Sequence, residues 1–328
     1  MEFKLLLIPL FTFIASLILI KMWMKVALKE NILFKDMNKY KHPKVIGYAG
    51  IAVLTAFILG ILLYVGVSVF YFQRAIHLIE IFAILSTLLI IGFIGIVDDL
   101  VGGWRKGLKQ WQKPILTLPA ALPLTAIKAG EALMILPIIG LVNLGLAYPL
   151  LLIPIGIVSA SQGFNMLAGL NGLEAGNGII IISTLGFIAW KTGQPWLALV
   201  ALIMVAALLA FYLFNKYPAK VFPGDVLLYP LGALVASLAI IGNMERIAII
   251  LFLPYIAEFF IKAKNKMKTE CFLTPNKDNT LEPPEKIGSL THLIARLIKK
   301  IKGNVYENDI VFSIYLIELL LVAFVLII

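Results

Sequence analysis

The chain has 328 residues, of which 61% are hydrophobic and 14% charged, and its formal net charge is +10. Soluble domains contain about 45–50% apolar and about 25% charged residues, so this composition excludes a soluble enzyme and a disordered protein. Because each membrane crossing needs roughly 20 apolar residues, the composition indicates a polytopic membrane protein. The single cysteine, Cys271, excludes an intrachain disulfide.

Apolar runs predict ten transmembrane helices. In chain order they cover about residues 4–24, 46–70, 76–97, 114–127, 141–160, 178–191, 196–214, 226–242, 246–262 and 310–328. The first run is too long for the core of a signal peptide, and we interpret it as a membrane span. The fourth contains Pro119 and Pro123, which are tolerated in a helix packed among neighbours. The runs are too long for the strands of a membrane barrel. The predicted fold is therefore all-α, without strands, in a single membrane domain over 1–328.

Lys and Arg are distributed unequally between the two sets of loops. One set, at about 25–45, 98–113, 161–177, 215–225 and 263–309, carries 23 of the 28 cations when the adjoining span ends are included. The positive-inside rule places these loops in the cytoplasm and both termini outside. Topology and anionic headgroups explain most of the net charge, so we expect membrane lipid and no nucleic acid as a partner.

An acidic pair ends the third predicted span at Asp98 and Asp99. Adjacent carboxylates repel, and each ionises less readily unless a cation lies beside it. The pair is either a solvated helix end or a site that handles Mg²⁺ and phosphate, because hard cations prefer carboxylate oxygens. Lys106, Lys109 and Lys113 follow it. Lys113 is the best candidate for contact with a substrate phosphate, because it immediately precedes the fourth span.

Two further cytoplasmic motifs combine glycine with polar side chains. The glycine-rich stretch 161–176 contains Asn165, Asn171 and Glu174. It is either a turn with helix caps or a loop whose backbone N–H groups approach a phosphate. Gly224 and Asp225 open the eighth span, where a carboxylate suits the positive end of the helix dipole. Asp225 is therefore either an N-cap or a functional carboxylate.

These motifs, in this order, resemble the polyprenyl-phosphate sugar-1-phosphate transferases, a family of ten-span membrane enzymes. Residues 36–39, Asp-Met-Asn-Lys, are similar to the D-x-N-K of the family's first loop. The acidic pair 98–99 and Lys113 match its acidic pair and following lysine, and Phe-Pro-Gly-Asp at 222–225 matches a further block. The most specific block is 165–176. Its Asn-Gly-Leu-Glu-Ala-Gly form is typical of the dolichol branch of archaea and eukaryotes, whereas bacterial relatives usually carry a D-G-x-D-G type sequence.

The resemblance implies a reaction and roles for the matched residues. The chain would transfer N-acetylglucosamine-1-phosphate from UDP-N-acetylglucosamine to dolichyl or another polyprenyl phosphate. UMP would be released, in the first step of lipid-linked oligosaccharide assembly for N-glycosylation. Asn165 and Asp225 would bind Mg²⁺, with Mn²⁺ as an alternative, and Lys113 would neutralise charge on a phosphate. Asp98 and Asp99 would position and tune the reacting groups; a general base and a covalent aspartyl-phosphate are the alternatives for Asp98.

Substrate contacts are expected in three loops. The candidate residues are Asn171, Gly172, Leu173, Glu174, Lys39, Lys44 and Lys277. One departure concerns the last loop, where the eukaryotic branch carries a basic P-R-H-R block. This chain has Thr-Pro-Asn-Lys-Asp at 274–278. The cations that could replace the missing arginines are Lys277, Lys286, His292 and Arg296.

Two other functions stay open. One is a sister transferase that uses another UDP-amino sugar or undecaprenyl phosphate. The other is a lipid or sugar transporter without chemistry, which would also have many spans and buried carboxylates. The implied location is the cell membrane of an archaeon or the endoplasmic reticulum membrane of a eukaryote, with the site facing the cytoplasm. The oligomeric state is open, and a homodimer is one alternative.

Overall fold

The computed structural model describes residues 3–104, 109, 111–136 and 140–327, and helices dominate it. The helices are α1 Leu7–Lys29, α2 Gly50–Gly66, α3 Leu78–Trp104, α4 Gln112–Thr117, α5 Leu122–Ala126, α6 Ile153–Met166, α7 Leu173–Lys191, α8 Pro195–Asn215, α9 Asp225–Ile241, α10 Glu245–Leu251, α11 Leu253–Lys264, α12 Leu290–Lys302 and α13 Glu307–Ile327. Short 3₁₀ or π segments lie at Phe3–Leu6, Val67–Tyr71, Leu118–Ala121 and Tyr148–Leu152.

Seven helical segments in the described part of the chain are long and apolar enough to cross a membrane. They are Lys4–Lys29, Gly50–Tyr71, Leu78–Val101, Tyr148–Met166, Leu173–Lys191, Pro195–Asn215 and Glu307–Ile327. α9 is a shorter apolar helix. The other two predicted spans are broken. Pro119 and Pro254 lack the N–H that an unbroken helix would use, and the chain divides there into α4 with α5 and into α10 with α11.

Strands form short connections between the helices. The described residues form three antiparallel hairpins: β1 Leu33–Lys35 with β2 Lys44–Ile46, β3 Leu133–Leu136 with β4 Gly140–Asn143, and β5 Thr274–Pro275 with β6 Leu281–Glu282. The prediction of a chain without strands is wrong at these hairpins, and the predicted fifth span, 141–160, begins in β4. A turn follows β4, where the Gly145 N–H donates to Asn143 Oδ1 at 2.9 Å.

The predicted cytoplasmic loops are shorter than expected, because helices extend into them. The loop predicted at 161–177 is reduced to 167–172, since α6 continues to Met166 and α7 begins at Leu173. Gly172 has φ +85°, a left-handed conformation that favours glycine and ends this short loop. The predicted loop 263–309 contains the β5–β6 hairpin and α12. Arg105 and Lys106, which were counted in the loop 98–113, lie outside the described residues.

The most buried helix is α9, in which every residue from Val226 to Ile240 is buried. A helix that is apolar on all sides is expected in the interior of a bundle, and α9 packs against α3 and α6. Gly95 of α3 is a point of close contact with α9. A Cβ at this position would lie 2.5 Å from the carbonyl oxygen of Asp225 and 2.7 Å from the nitrogen of Val226. The absence of a side chain at Gly95 thus allows α3 to approach the start of α9.

A buried ionic cluster connects the first loop with the starts of α7 and α13. Lys39 Nζ forms an ion pair with Glu307, lies 3.6 Å from Asp36 Oδ2, and donates to Asn171 Oδ1 at 3.2 Å. Asn171 Nδ2 donates to Asp36 Oδ2 at 3.1 Å, and its backbone N–H donates to Glu307 Oε1 at 2.6 Å. All four side chains are buried. Lys39 and Asn171 therefore hold three chain segments together.

Replacing Gly95 with alanine is expected to separate α3 from α9. The added methyl group would contact backbone, which cannot move aside as a flexible side chain can, and overpacking of this kind costs about 1–3 kcal/mol. Thermal unfolding in detergent should show a lower midpoint for Gly95→Ala. Gly66→Ala is the matched control, because a Cβ at Gly66 meets nothing within 4 Å. An unchanged midpoint for Gly95→Ala would contradict the close contact.

Replacing Lys39 with methionine should destabilise the fold, because the carboxylates of Glu307 and Asp36 would lose their buried counter-charge. Breaking a buried pair in this way costs about 3–5 kcal/mol. Lys277→Met is the control, since Lys277 is exposed at the β5–β6 turn and substitutions at such surface positions change stability by about 0.5 kcal/mol or less. Equal stability of the two variants, measured by denaturant unfolding in micelles, would show that the cluster contributes nothing to the fold.

Candidate active site

A cavity of about 600 Å³ lies where the ends of α3, α6 and α9 meet. The predicted site residues among those that line it are Asp98, Asp99, Lys113, Asn165, Glu174 and Asp225. Four segments distant in sequence therefore contribute to one cavity. The other candidates do not line it: Lys44 and Lys277 are exposed, Lys39 and Asn171 belong to the buried cluster, and Gly172 and Leu173 form the start of α7.

The carboxylate of Asp99 caps α9. Its Oδ1 accepts the N–H of Asp225 at 2.9 Å, and its Oδ2 accepts the N–H of Val226 at 3.0 Å. These N–H groups are at the helix start, where they have no partner within the helix and where the helix dipole favours a negative charge. Gly224 makes this contact possible, because a Cβ there would lie 2.7 Å from Asp99 Oδ2. The cap thus comes from a different helix and fixes α9 to α3.

Asp98, Lys113 and Asp225 form a charged triad beside this cap. Lys113 Nζ lies 2.8 Å from Asp98 Oδ2 and 3.4 Å from Asp225 Oδ2. Lys113 is thus within ion-pair distance of both carboxylates and offsets the repulsion between them.

Two tyrosines that the motifs did not indicate support these groups. Tyr229 Oη donates to Asp98 Oδ2 at 2.6 Å and accepts from Asn165 Nδ2 at 3.2 Å. Tyr229 lies four residues after Asp225 in α9, on the same helix face, and this spacing was the available signal. Tyr48 Oη donates to the backbone oxygen of Asp99 at 2.7 Å. Burial, with Asp99 and Asp225 nearby, raises the pKa of Tyr48 to about 12, so its hydroxyl remains a donor.

Glu174 connects α7 with the loop that precedes it. Its carboxylate accepts the backbone N–H of Gly169, and its side chain is buried at the cavity wall. Two of the proposed replacements for the missing arginines are occupied elsewhere. His292 contacts the Phe272 carbonyl at 3.0 Å, and Arg296 donates to the Pro284 and Glu285 carbonyls.

The donor set of the cavity is compatible with Mg²⁺ brought in with a substrate. Within the described residues, no three His, Cys, Asp or Glu side chains are arranged to hold a metal by themselves. Mg²⁺ is usually bound by one or two carboxylates together with waters and substrate phosphates. Asp225 supplies a carboxylate, and Asn165 supplies an amide oxygen because its Nδ2 is directed to Tyr229. Both are hard oxygen donors, so the residues present fit this ion.

Comparison with known proteins identifies the family. The model of glycosyl transferase family 4 matches residues 81–243. A protein of Saccharolobus solfataricus, provisionally named UDP-N-acetylglucosamine–dolichyl-phosphate N-acetylglucosaminephosphotransferase, is 34% identical over 89% of this chain and 86% of its own length. A Sulfolobus acidocaldarius protein with the same provisional name is 32% identical over 94% and 91%.

A more distant relative is the phospho-N-acetylmuramoyl-pentapeptide-transferase of Lactiplantibacillus plantarum. It is 33% identical over 52% of this chain and 55% of its own length. These relatives confirm the resemblance that the motifs indicated. The chain therefore belongs to glycosyl transferase family 4, among the polyprenyl-phosphate sugar-1-phosphate transferases, and is a glycosyl-1-phosphate transferase.

Proposed function

We propose that the protein transfers N-acetylglucosamine-1-phosphate from UDP-N-acetylglucosamine to dolichyl or a related polyprenyl phosphate and releases UMP. This would be the first step of lipid-linked oligosaccharide assembly for N-glycosylation. The observation that carries the proposal is the triad of Asp98, Lys113 and Asp225 in a cavity that adjoins an apolar groove. The names of the two archaeal relatives support the donor and the acceptor.

In the proposed reaction, an oxygen of the lipid phosphate attacks the β-phosphorus of the donor. The bond between that phosphorus and the bridging oxygen breaks, and the electron pair leaves with UMP. Such transfers depend on positioning and on neutralising charge rather than on covalent participation of the protein. Lys113 would neutralise charge on the phosphates from its place between Asp98 and Asp225, and the Asp99 cap would keep Asp225 in position.

Asn165 and Asp225 would hold Mg²⁺, with Mn²⁺ as an alternative. When bound, the ion would supply charge stabilisation for the pyrophosphate and the departing phosphate. Asp98 is better suited to positioning than to proton removal, because it is engaged with Tyr229 and Lys113. A phosphate monoester with a second pKa of about 6 is also mostly dianionic at pH 7, so little proton would need to be removed.

The apolar groove suits the prenyl chain of the acceptor. It has a volume of about 610 Å³ and lies between α6, α9, α10 and α11. Pro114, which follows Lys113 directly, lines the groove, and Met166 lines both the groove and the polar cavity. A prenyl tail in this groove would place its phosphate beside Lys113.

The proposed topology has ten crossings, in a single domain over 1–328, with both termini outside and the cavity at the cytoplasmic face. The seven long helices, α9, and the two broken segments α4–α5 and α10–α11 would provide these crossings. The excess of Lys and Arg on the side of the cavity supports this orientation. The protein would lie in the cell membrane of an archaeon, as the sources of its two long matches suggest.

Purified protein in detergent with Mg²⁺ should convert labelled UDP-N-acetylglucosamine and dolichyl phosphate into a lipid-soluble product. EDTA and Asp225→Ala should each abolish this product, whereas Glu30→Ala, which removes an exposed carboxylate that does not line the cavity, should leave it unchanged. If the product forms only with another UDP-sugar, or only with undecaprenyl phosphate, the protein would be one of the sister transferases. If no lipid-soluble product and no UMP form with any prenyl phosphate, the result would favour a transporter.

Lys113→Gln should lower kcat by about 10²–10³, the usual cost of removing one group that stabilises developing charge. Lys109→Gln is the matched control, because Lys109 is an exposed lysine four residues earlier, before the start of α4. Steady-state kinetics of both variants would separate a local electrostatic role from a general effect of positive charge near the membrane. Equal losses in the two variants would contradict the role given to Lys113.

Gly156→Phe should obstruct the groove without disturbing the backbone. A Cβ at Gly156 would meet only Ile240 Cδ1, at 3.9 Å, so a larger side chain can project into the groove. We expect the KM for a long prenyl phosphate to rise about tenfold, equal to about 1.4 kcal/mol, while the KM for the UDP-sugar stays constant. Gly156→Ala is the control. An equal rise for a short prenyl phosphate would place the tail elsewhere.

A further inference from the structure

The apolar face of α12 is covered by protein over only half its length. Leu290, Ile294 and Ala295, in the first part of the helix, are buried. Leu297 and Ile301 continue the apolar side of the helix, but they are 51% and 88% exposed. Residues four apart lie on the same side of a helix, so Leu297 and Ile301 form one uncovered apolar stripe.

Lysines surround the same end of the helix. Lys299, Lys300 and Lys302 lie in its last turn. Lys299 is paired with Glu282, and Lys302 with Asp309 at 2.7 Å, with the lysine side chains 42% and 54% exposed. Exposed pairs of this kind are weak, so these lysines can exchange their carboxylate partners for another anion. An apolar stripe with lysines around it is typical of a helix that lies in the surface of an anionic membrane.

The connection to α13 places this end of α12 at the membrane. Residues 303–306 are all that separate Lys302 from Glu307, the first residue of the membrane-crossing helix α13. An extended chain spans at most about 3.6 Å per residue, so Lys302, the last residue of α12, is within about 18 Å of the start of that crossing. The exposed stripe is therefore close to lipid headgroups.

The other end of α12 is fixed to the candidate active site through Glu258 of α11. Glu258 accepts hydrogen bonds from Ser289 Oγ at 3.0 Å and from the Leu290 N–H at 2.6 Å. Its ion-pair partner Lys262, at 3.2 Å, donates to the Met166 carbonyl at 2.6 Å. The loop between α11 and α12 provides residues 267–272 to the cavity wall. A displacement of α12 would thus be transmitted to that wall.

We propose that α12 is an interfacial helix that docks on anionic lipid headgroups of the membrane in which the protein is embedded. Leu297 and Ile301 enter the boundary of the acyl chains, while Lys299, Lys300 and Lys302 bind lipid phosphates. This docking holds the cavity wall formed by residues 267–272 in place.

The docking can be measured with a fluorophore on an introduced cysteine, because the native Cys271 is buried and should not react. The full chain carrying Ile301→Cys is labelled with a fluorophore and placed in vesicles of phosphatidylcholine, alone or mixed with phosphatidylglycerol. The unmodified chain is the labelling control, because Cys271 is 3% exposed. We expect lipids brominated on their acyl chains to quench the label at residue 301 and aqueous iodide to leave it bright. Asp278→Cys, at the tip of the β5–β6 hairpin, should show the reverse.

Removing the lysines tests the preference for anionic lipid. One cation near an anionic surface favours the bound form by about fivefold. Adding Lys299→Gln, Lys300→Gln and Lys302→Gln to the labelled chain should therefore reduce the ratio of bromolipid to iodide quenching by about fivefold or more in the mixed vesicles. The same change should abolish any stimulation of transfer by phosphatidylglycerol.

Three results would overturn the proposal. Iodide quenching at residue 301 equal to that at residue 278 would place α12 in water. Equal quenching ratios in neutral and mixed vesicles would remove the role of anionic lipid. Protection from iodide that appears only at high protein concentration in detergent would identify a second copy of the chain as the occupant. The depth measurement needs no substrate, so its failure is distinct from a failure of the proposed function.

Discussion

Mutual repulsion of three carboxylates is the constraint on which the candidate site depends. At about 4 Å two like charges repel by about 4 kcal/mol at an effective dielectric constant of 20, so Asp98, Asp99 and Asp225 need positive partners to share one cavity. Lys113 serves Asp98 and Asp225 together, at 2.8 and 3.4 Å. Asp99 is satisfied by the N–H groups that begin α9. The contact that packs α3 against α9 is therefore also the contact that neutralises the Asp99 carboxylate.

Because the cap of α9 comes from α3, the carboxylates are fixed relative to each other by rigid elements rather than by a loop. The close approach at Gly95 brings the two helices together, and α9 is buried on all sides. Tyr229 then links Asp98 on α3 to Asn165 on α6. A site built on three helices in this way holds its geometry before any substrate arrives.

The cavity residues could be predicted from the sequence because they fall in alternate loops, which a helical bundle brings to the same end. Asp98, Lys113, Asn165 and Asp225 are consequently neighbours. The same reasoning could not separate them from Lys39, whose principal partner Glu307 is 268 residues away and belongs to no motif. The hairpins escaped prediction because strands of two to four residues are too short to show an alternating pattern. Pro119 was visible as an interruption of the fourth predicted span, whereas the break near Pro254 was missed and 246–262 was predicted as one span.

Met166 has a particular position, since it lines both the polar cavity and the apolar groove. The polar cavity and the apolar groove therefore adjoin at Met166, with charged side chains in the first and apolar side chains in the second. A single molecule with an anionic head and a long apolar tail could occupy both compartments at once. Such a compound would gain from the link between its halves, because binding of the first half raises the local concentration of the second. Selectivity among related enzymes would then be sought at the junction beside Met166.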